Sequence, residues 1–146
     1  HYLNGVNISG NVFKHTGGGS LERVDGVDTS IGGMDANKFR NVTIVGNSFH
    51  NVDLRMESPV VKEIDENGVS DVWSTDLAEH MPFGGKARRV TAVMPTNEIK
   101  DSGGSGVYTL PYAVAGLGAD GTEVKLHWSK PVTGKVLVTV QTDLTA

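Results

Sequence analysis

The chain has 146 residues, a formal net charge of −4 and no cysteine. That length fits one domain, or a repeat segment followed by a small domain. The charge argues against nucleic acid, which is bound through a basic face. The missing cysteines remove disulfides, thiolate metal sites and a cysteine nucleophile.

No apolar run reaches membrane-spanning length and no signal peptide is visible, so membrane insertion is not expected. The first residue is His1 rather than Met, which predicts a chain cut from something longer, with further repeats upstream. Nineteen glycines, many β-branched residues and no helical stripe place the chain in the all-β class.

The first element is half of a repeat. Val6, Ile8, Gly10, Asn11 and Phe13 recur as Val42, Ile44, Gly46, Asn47 and Phe49, each pair offset by 36 positions (42 − 6). Alternate apolar residues predict strands with one buried face. Gly-Asn takes positive φ readily and predicts a sharp turn at the same place in each copy. Copies that turn alike can stack, apolar over apolar and Asn over Asn, as in a parallel solenoid.

The block V-x-I-x-G-N-x-F resembles the rungs of right-handed parallel β-helices, the fold of pectate lyases, polysaccharide depolymerases and bacteriophage tailspikes. The resemblance covers residues 4–51. It implies a homotrimer that recognises bacterial surface polysaccharide, on a virion tail or otherwise outside a cell.

Between the copies, residues 16–39 are rich in Gly and Asp and are expected to loop out of the stack, a length that in a compact β protein often carries function. Beyond Asn51 the repeat stops. Residues 52–65 predict one or two strands, Glu66-Asn67-Gly68 a turn before a strand from Val69 to Thr75, and Leu77–Met81 a helical turn with Asp76 as its N-cap. Four further strands follow: Lys86–Met94, Gly106–Ala115, Thr122–Trp128 and Gly134–Thr142. They are joined by the turn-forming DSGGSG, GLGADG and SKPVTG. The expected division is 1–55 for the rungs, 56–85 for a transition region and 86–146 for an antiparallel C-terminal domain that closes the stack as part of a sandwich. The edges of so small a sheet need covering, and a trimer would cover them.

Gly116–Gly121 fits the letters of a dinucleotide loop but precedes a strand rather than a helix, so it reads as a hairpin loop, and no cofactor is expected. Gly17-Gly18-Gly19-Ser20 lacks the Lys of a phosphate loop. Five scattered histidines without paired spacing predict no metal site. Lys86, Arg88 and Arg89 form the one basic cluster, read as a solvated strand face.

Glycoside hydrolysis needs two carboxylates, roughly 5 to 9.5 Å apart. Asp25, Asp28 and Asp35 in the long loop are the catalytic candidates, weighed against their commoner role as turn formers. They support an alternative to pure recognition, a polysaccharide lyase or glycoside hydrolase with its groove along residues 16–39. An adhesin passenger tip is a third class. Trp73, Tyr108 and Trp128 are the carbohydrate-binding candidates, because an aromatic face stacks on the C–H face of a sugar. Packing in a core or trimer interface is their competing role.

Overall fold

The computed structural model of the chain describes residues 1–144. The fold is all-β, with 51% strand, 4% helix and a multi-stranded antiparallel sheet.

The repeat forms two strand pairs. β1 (Asn4–Ser9) and β2 (Val12–Lys14) make the first copy, β3 (Arg40–Val45) and β4 (Ser48–His50) the second. β1 runs parallel to β3 with Val6 opposite Val42 and Ile8 opposite Ile44; β2 runs parallel to β4 with Phe13 opposite Phe49. The 36-residue offset of the sequence is therefore the register of the ladder. Gly10 and Gly46 turn each copy at φ 69° and 68°, a backbone region where a β-carbon is strained.

Asn lies over Asn at the turn. The side-chain oxygen of Asn47 accepts the Asn11 backbone N–H at 2.9 Å, and its amide donates to Ile8 O at 2.9 Å. Beneath the turn, the Phe13 and Phe49 rings stack at 5.3 Å. Phe39, Val42, Ile44 and Met56 form the buried centre of this layer.

The long segment does not leave the stack entirely. Leu21 pairs in parallel with Val52, and Leu54 N–H reaches Glu22 O at 2.9 Å. The offset there is 31 (52 − 21) instead of 36, so five residues, Thr16–Ser20, bulge out before the ladder resumes. The rest is pinned by Arg23, which forks onto Asp25 at 2.9 and 3.0 Å and donates to Met81 O at 2.8 Å.

The antiparallel part is organised around one strand. β5 (Val60–Asp76), β6 (Arg89–Pro95), β7 (Lys100–Asp101) and β8 (Tyr112–Leu117) all pair with β9 (Glu123–Gln141), which gives a five-stranded sheet. Val124, Leu126, Val132, Val136, Val138 and Val140 of β9 are fully buried, at 0% exposure each, so the hub strand also supplies the core.

Two expected turns are absent as turns. Glu66-Asn67-Gly68 and SKPVTG both lie inside long strands, 17 residues in β5 and 19 in β9. The reason is tertiary. The register shifts between Glu66 and Ser70 and again between Ser70 and Val72, so the two partners bend together at one corner instead of reversing. Gly134 makes the corner possible: a β-carbon there would come 2.5 Å from Ile99 Cδ1, at φ 151°.

Other expectations shift. The strand expected over Gly106–Ala115 is ordered as a strand only from Tyr112 to Leu117. Leu77–Met81 is one hydrogen-bonded turn, His80 N–H to Leu77 O at 2.9 Å, and Asp76 accepts from Ala78 N–H and from the Thr122 hydroxyl. Residues 56–85 are no mere transition, since β5 is the longest neighbour of β9. GLGADG is the hairpin loop the sequence implies, joining β8 to β9 with Leu117 opposite Glu123.

Asn47→Ala removes three hydrogen bonds that tie one copy to the other, two of which share the Asn47 oxygen and are weaker for it, and an unshared bond contributes about 1 kcal/mol net. We expect a loss of about 1–2 kcal/mol in urea unfolding with an unchanged slope; a loss under ~0.5 kcal/mol would show that the ladder is incidental.

Candidate functional site

The two edges of the stacked layer differ. In a parallel ladder alternate residues bond to alternate sides, so Val42 and Ile44 turn their polar groups away from β1. Val42 N–H is taken by the Asp143 carboxylate at 2.9 Å, and Ile44 exchanges both bonds with Ser58, at 2.8 and 2.9 Å. Leu144 N–H closes onto Phe39 O at 3.0 Å, and Thr142 N–H onto Ser58 Oγ at 3.1 Å. This lower edge is sealed by the chain that leaves β9. Arg89 steadies the seal, with Nε on Asp143 O at 3.1 Å and an amino group on Gln141 Oε1. Arg88 donates to Asn37 Oδ1 at 3.2 Å. Arg88 and Arg89 of the basic cluster therefore latch two parts of the fold together rather than forming a solvated face.

The upper edge is open. Among the described residues β1 pairs only with β3 and β2 only with β4. Val12 is 68% exposed, and Val6, Ile8 and Phe13 are half-buried. The side-chain oxygen of Asn11 holds no donor among the described residues, although the equivalent oxygen of Asn47 holds the N–H of the copy above it.

The three catalytic candidates are each held locally. Asp25 has its side chain only 2% exposed, locked by Arg23 and by Phe83 N–H at 2.7 Å. Asp35 caps the short 3₁₀ turn Ala36–Lys38, accepting from Asn37 N–H at 3.0 Å. Asp28 accepts Ser30 N–H at 2.9 Å, a bond that lowers its carboxyl pKa from the ordinary value. Among the described residues each of these carboxylates bonds to partners of its own, and none bonds to another of the three. No group of three or more His, Asp or Glu suited to a metal ion occurs among the described residues.

The aromatic candidates separate sharply. Trp73 and Trp128 are 0% and 6% exposed and pack on each other at 4.8 Å in the sheet core, so neither presents a face to a sugar. Packing wins there because β5 and β9 set both rings inward at neighbouring rungs, Trp73 opposite Leu126. Tyr108 stands at 94% exposure and has company that sequence reasoning missed: Leu110 at 74% and Tyr112 at 73%. The signal was present as an alternation. Tyr108, Leu110 and Tyr112 are exposed, while Val107, Ala113 and Ala115 pack on the core. The bulky row faces out and the small row faces in, the reverse of ordinary burial. His127, opposite both Val72 and Tyr112, extends the row across the sheet.

No protein-family model, curated protein or solved structure matches this chain.

Proposed function

We propose that the chain caps the end of a parallel β-helix in a tailspike-like protein, where it holds chains together as a homotrimer and contributes to recognition of a bacterial surface glycan. The observation that carries this reading is the asymmetry of the stacked layer: one edge sealed by Ser58 and Asp143, the other bare and patterned to accept another copy of V-x-I-x-G-N-x-F. A layer with one finished edge and one receptive edge is an end-piece. The outward row Tyr108, Leu110, Tyr112 supports the recognition part. The exposed rings of Tyr108 and Tyr112 offer flat faces on which sugars can stack. A lyase or hydrolase would need two carboxylates facing one groove, and Asp25, Asp28 and Asp35 are each engaged with a local partner.

Three measurements test this. Adding one more coil of the same pattern ahead of Tyr2, with a loop matching residues 16–39, should raise the melting temperature by several degrees (about 2–4 °C per kcal/mol gained at this chain length); an unchanged or lower value would sink the capping role. Light scattering should give three chain masses, and a concentration-independent monomer would remove the trimer. On an array of capsular and O-antigen glycans, the double substitution Tyr108→Ala and Tyr112→Ala should abolish binding while leaving the melt within ~0.5 kcal/mol, as expected for exposed side chains. Undiminished binding would move recognition elsewhere.

A further inference from the structure

The sealed lower edge has a gap at Phe49. Ser48 N–H bonds to Asn11 O at 2.8 Å and His50 O accepts from His15 N–H at 3.0 Å, so both residues face β2. By the alternation of a parallel ladder, Phe49 N–H and C=O point the other way, and they have no partner among the described residues. In line with Val42 and Ile44, which Asp143 and Ser58 satisfy, Phe49 instead borders a cleft of about 440 Å³, between β4 and the segment Arg55–Glu57.

The lining of this cleft is chemically mixed. Asn47, His50, Arg55, Glu57 and His80 border it together with Phe49. Arg55 and Glu57 form no ion pair among the described residues, although they flank one buried methionine, Met56. The walls are braced rather than loose. Glu57 N–H donates to His80 O at 2.8 Å, and His80 Nδ1 meets Arg55 O at 3.0 Å. A carbonyl only accepts, so Nδ1 carries the proton and Nε2 of the neutral ring is an acceptor. The Phe49 ring is fixed by its stack on Phe13.

We propose that this cleft binds an acidic sugar residue, a pyranose bearing a carboxylate and neighbouring hydroxyls. The proposal rests on the glycan-recognition reading above and names the class of sugar. Its volume lies in the range of small-molecule sites. Arg55 offers the fork that matches a carboxylate. The backbone pair of Phe49 offers one donor and one acceptor to two hydroxyls, with Glu57 and the amide of Asn47 as further partners. A neutral sugar would satisfy the same hydroxyl partners and leave Arg55 unmatched, so the carboxylate sets the preference.

The test is a titration of the intact chain with sodium D-glucuronate and with D-glucose, followed through the Phe49 amide and the ring signals of His50 and His80 by NMR. Glucuronate should bind about tenfold tighter than glucose, the worth of one charge-assisted contact. Arg55→Gln should bring that ratio close to one while the Phe49 amide still responds to glucose, and Glu57→Gln should weaken both sugars without erasing the preference. The exposed Arg55 side chain makes a folding failure an unneeded explanation, and an unchanged melt of the variant checks it. Three results would each overturn the proposal: no shift at Phe49 with either sugar up to about 50 mM, equal affinity for the two, or a preference that survives Arg55→Gln. Failure here with intact array binding through Tyr108 and Tyr112 would remove the cleft alone. Loss of array binding with a positive titration would instead relocate recognition to the cleft.

Discussion

A buried carboxylate lies at the junction between the two halves of this molecule. Asp143 lies just past the end of β9, 5% exposed, and its oxygen takes the N–H of Val42 in β3 of the second repeat copy. An N–H buried without a partner costs of order 1–3 kcal/mol, and a charged carboxylate placed there also needs its own counterpart. Arg89, with Nη2 at 3.6 Å from the other oxygen, is that counterpart. Ser58 completes the junction, bonding Ile44 on one side and Thr142 on the other. The antiparallel sheet is thus attached to the stacked layer by hydrogen bonds to the very groups that a further coil would otherwise use. Under the proposed reading, attachment and termination are one event.

This arrangement explains the polarity of the whole. β9 is the partner of every other strand in its sheet, and its buried valines make it the centre of the core. Whatever holds β9 in place also holds the seal, because the seal is its continuation. The opposite edge receives nothing from β9 and remains bare at Val12 and Asn11. Under the proposed reading these two facts have one meaning: the sheet finishes what the coils begin.

The sequence was most legible where periodicity and turn chemistry agreed. The 36-residue offset, the alternation and the Gly-Asn turn point to one arrangement, and the register of β1 on β3 follows residue by residue. It was least legible where turn residues serve another purpose. Asn67-Gly68 and Pro131 with Gly134 look like hairpin ends, yet they form a shared corner in two long strands, and only the pairing of β5 with β9 decides between a corner and a reversal. The two Trp residues illustrate the same limit, since alternation assigns a side chain to a face but not the face to the core. Tyr108, Leu110 and Tyr112 are the mirror case, a bulky row that composition would place inside. The Phe49 cleft left no local trace, because it is defined by the absence of a neighbour that Val42 and Ile44 do have.

The segment between the two copies is fastened at both shores. Asn51 reaches His15 O at 3.3 Å, Arg23 and Asp25 clamp the middle to Met81 and Phe83, and Asp35 caps the return. From Gly26 to Met34 the backbone crosses between anchored points, with Ile31 fully in view of solvent at 89% exposure. Doubling the length of such a crossing costs only about 0.6 kcal/mol in closure entropy. A lineage pressed to change its outward appearance has there a stretch it can lengthen, shorten or rewrite while the scaffold beneath keeps its shape.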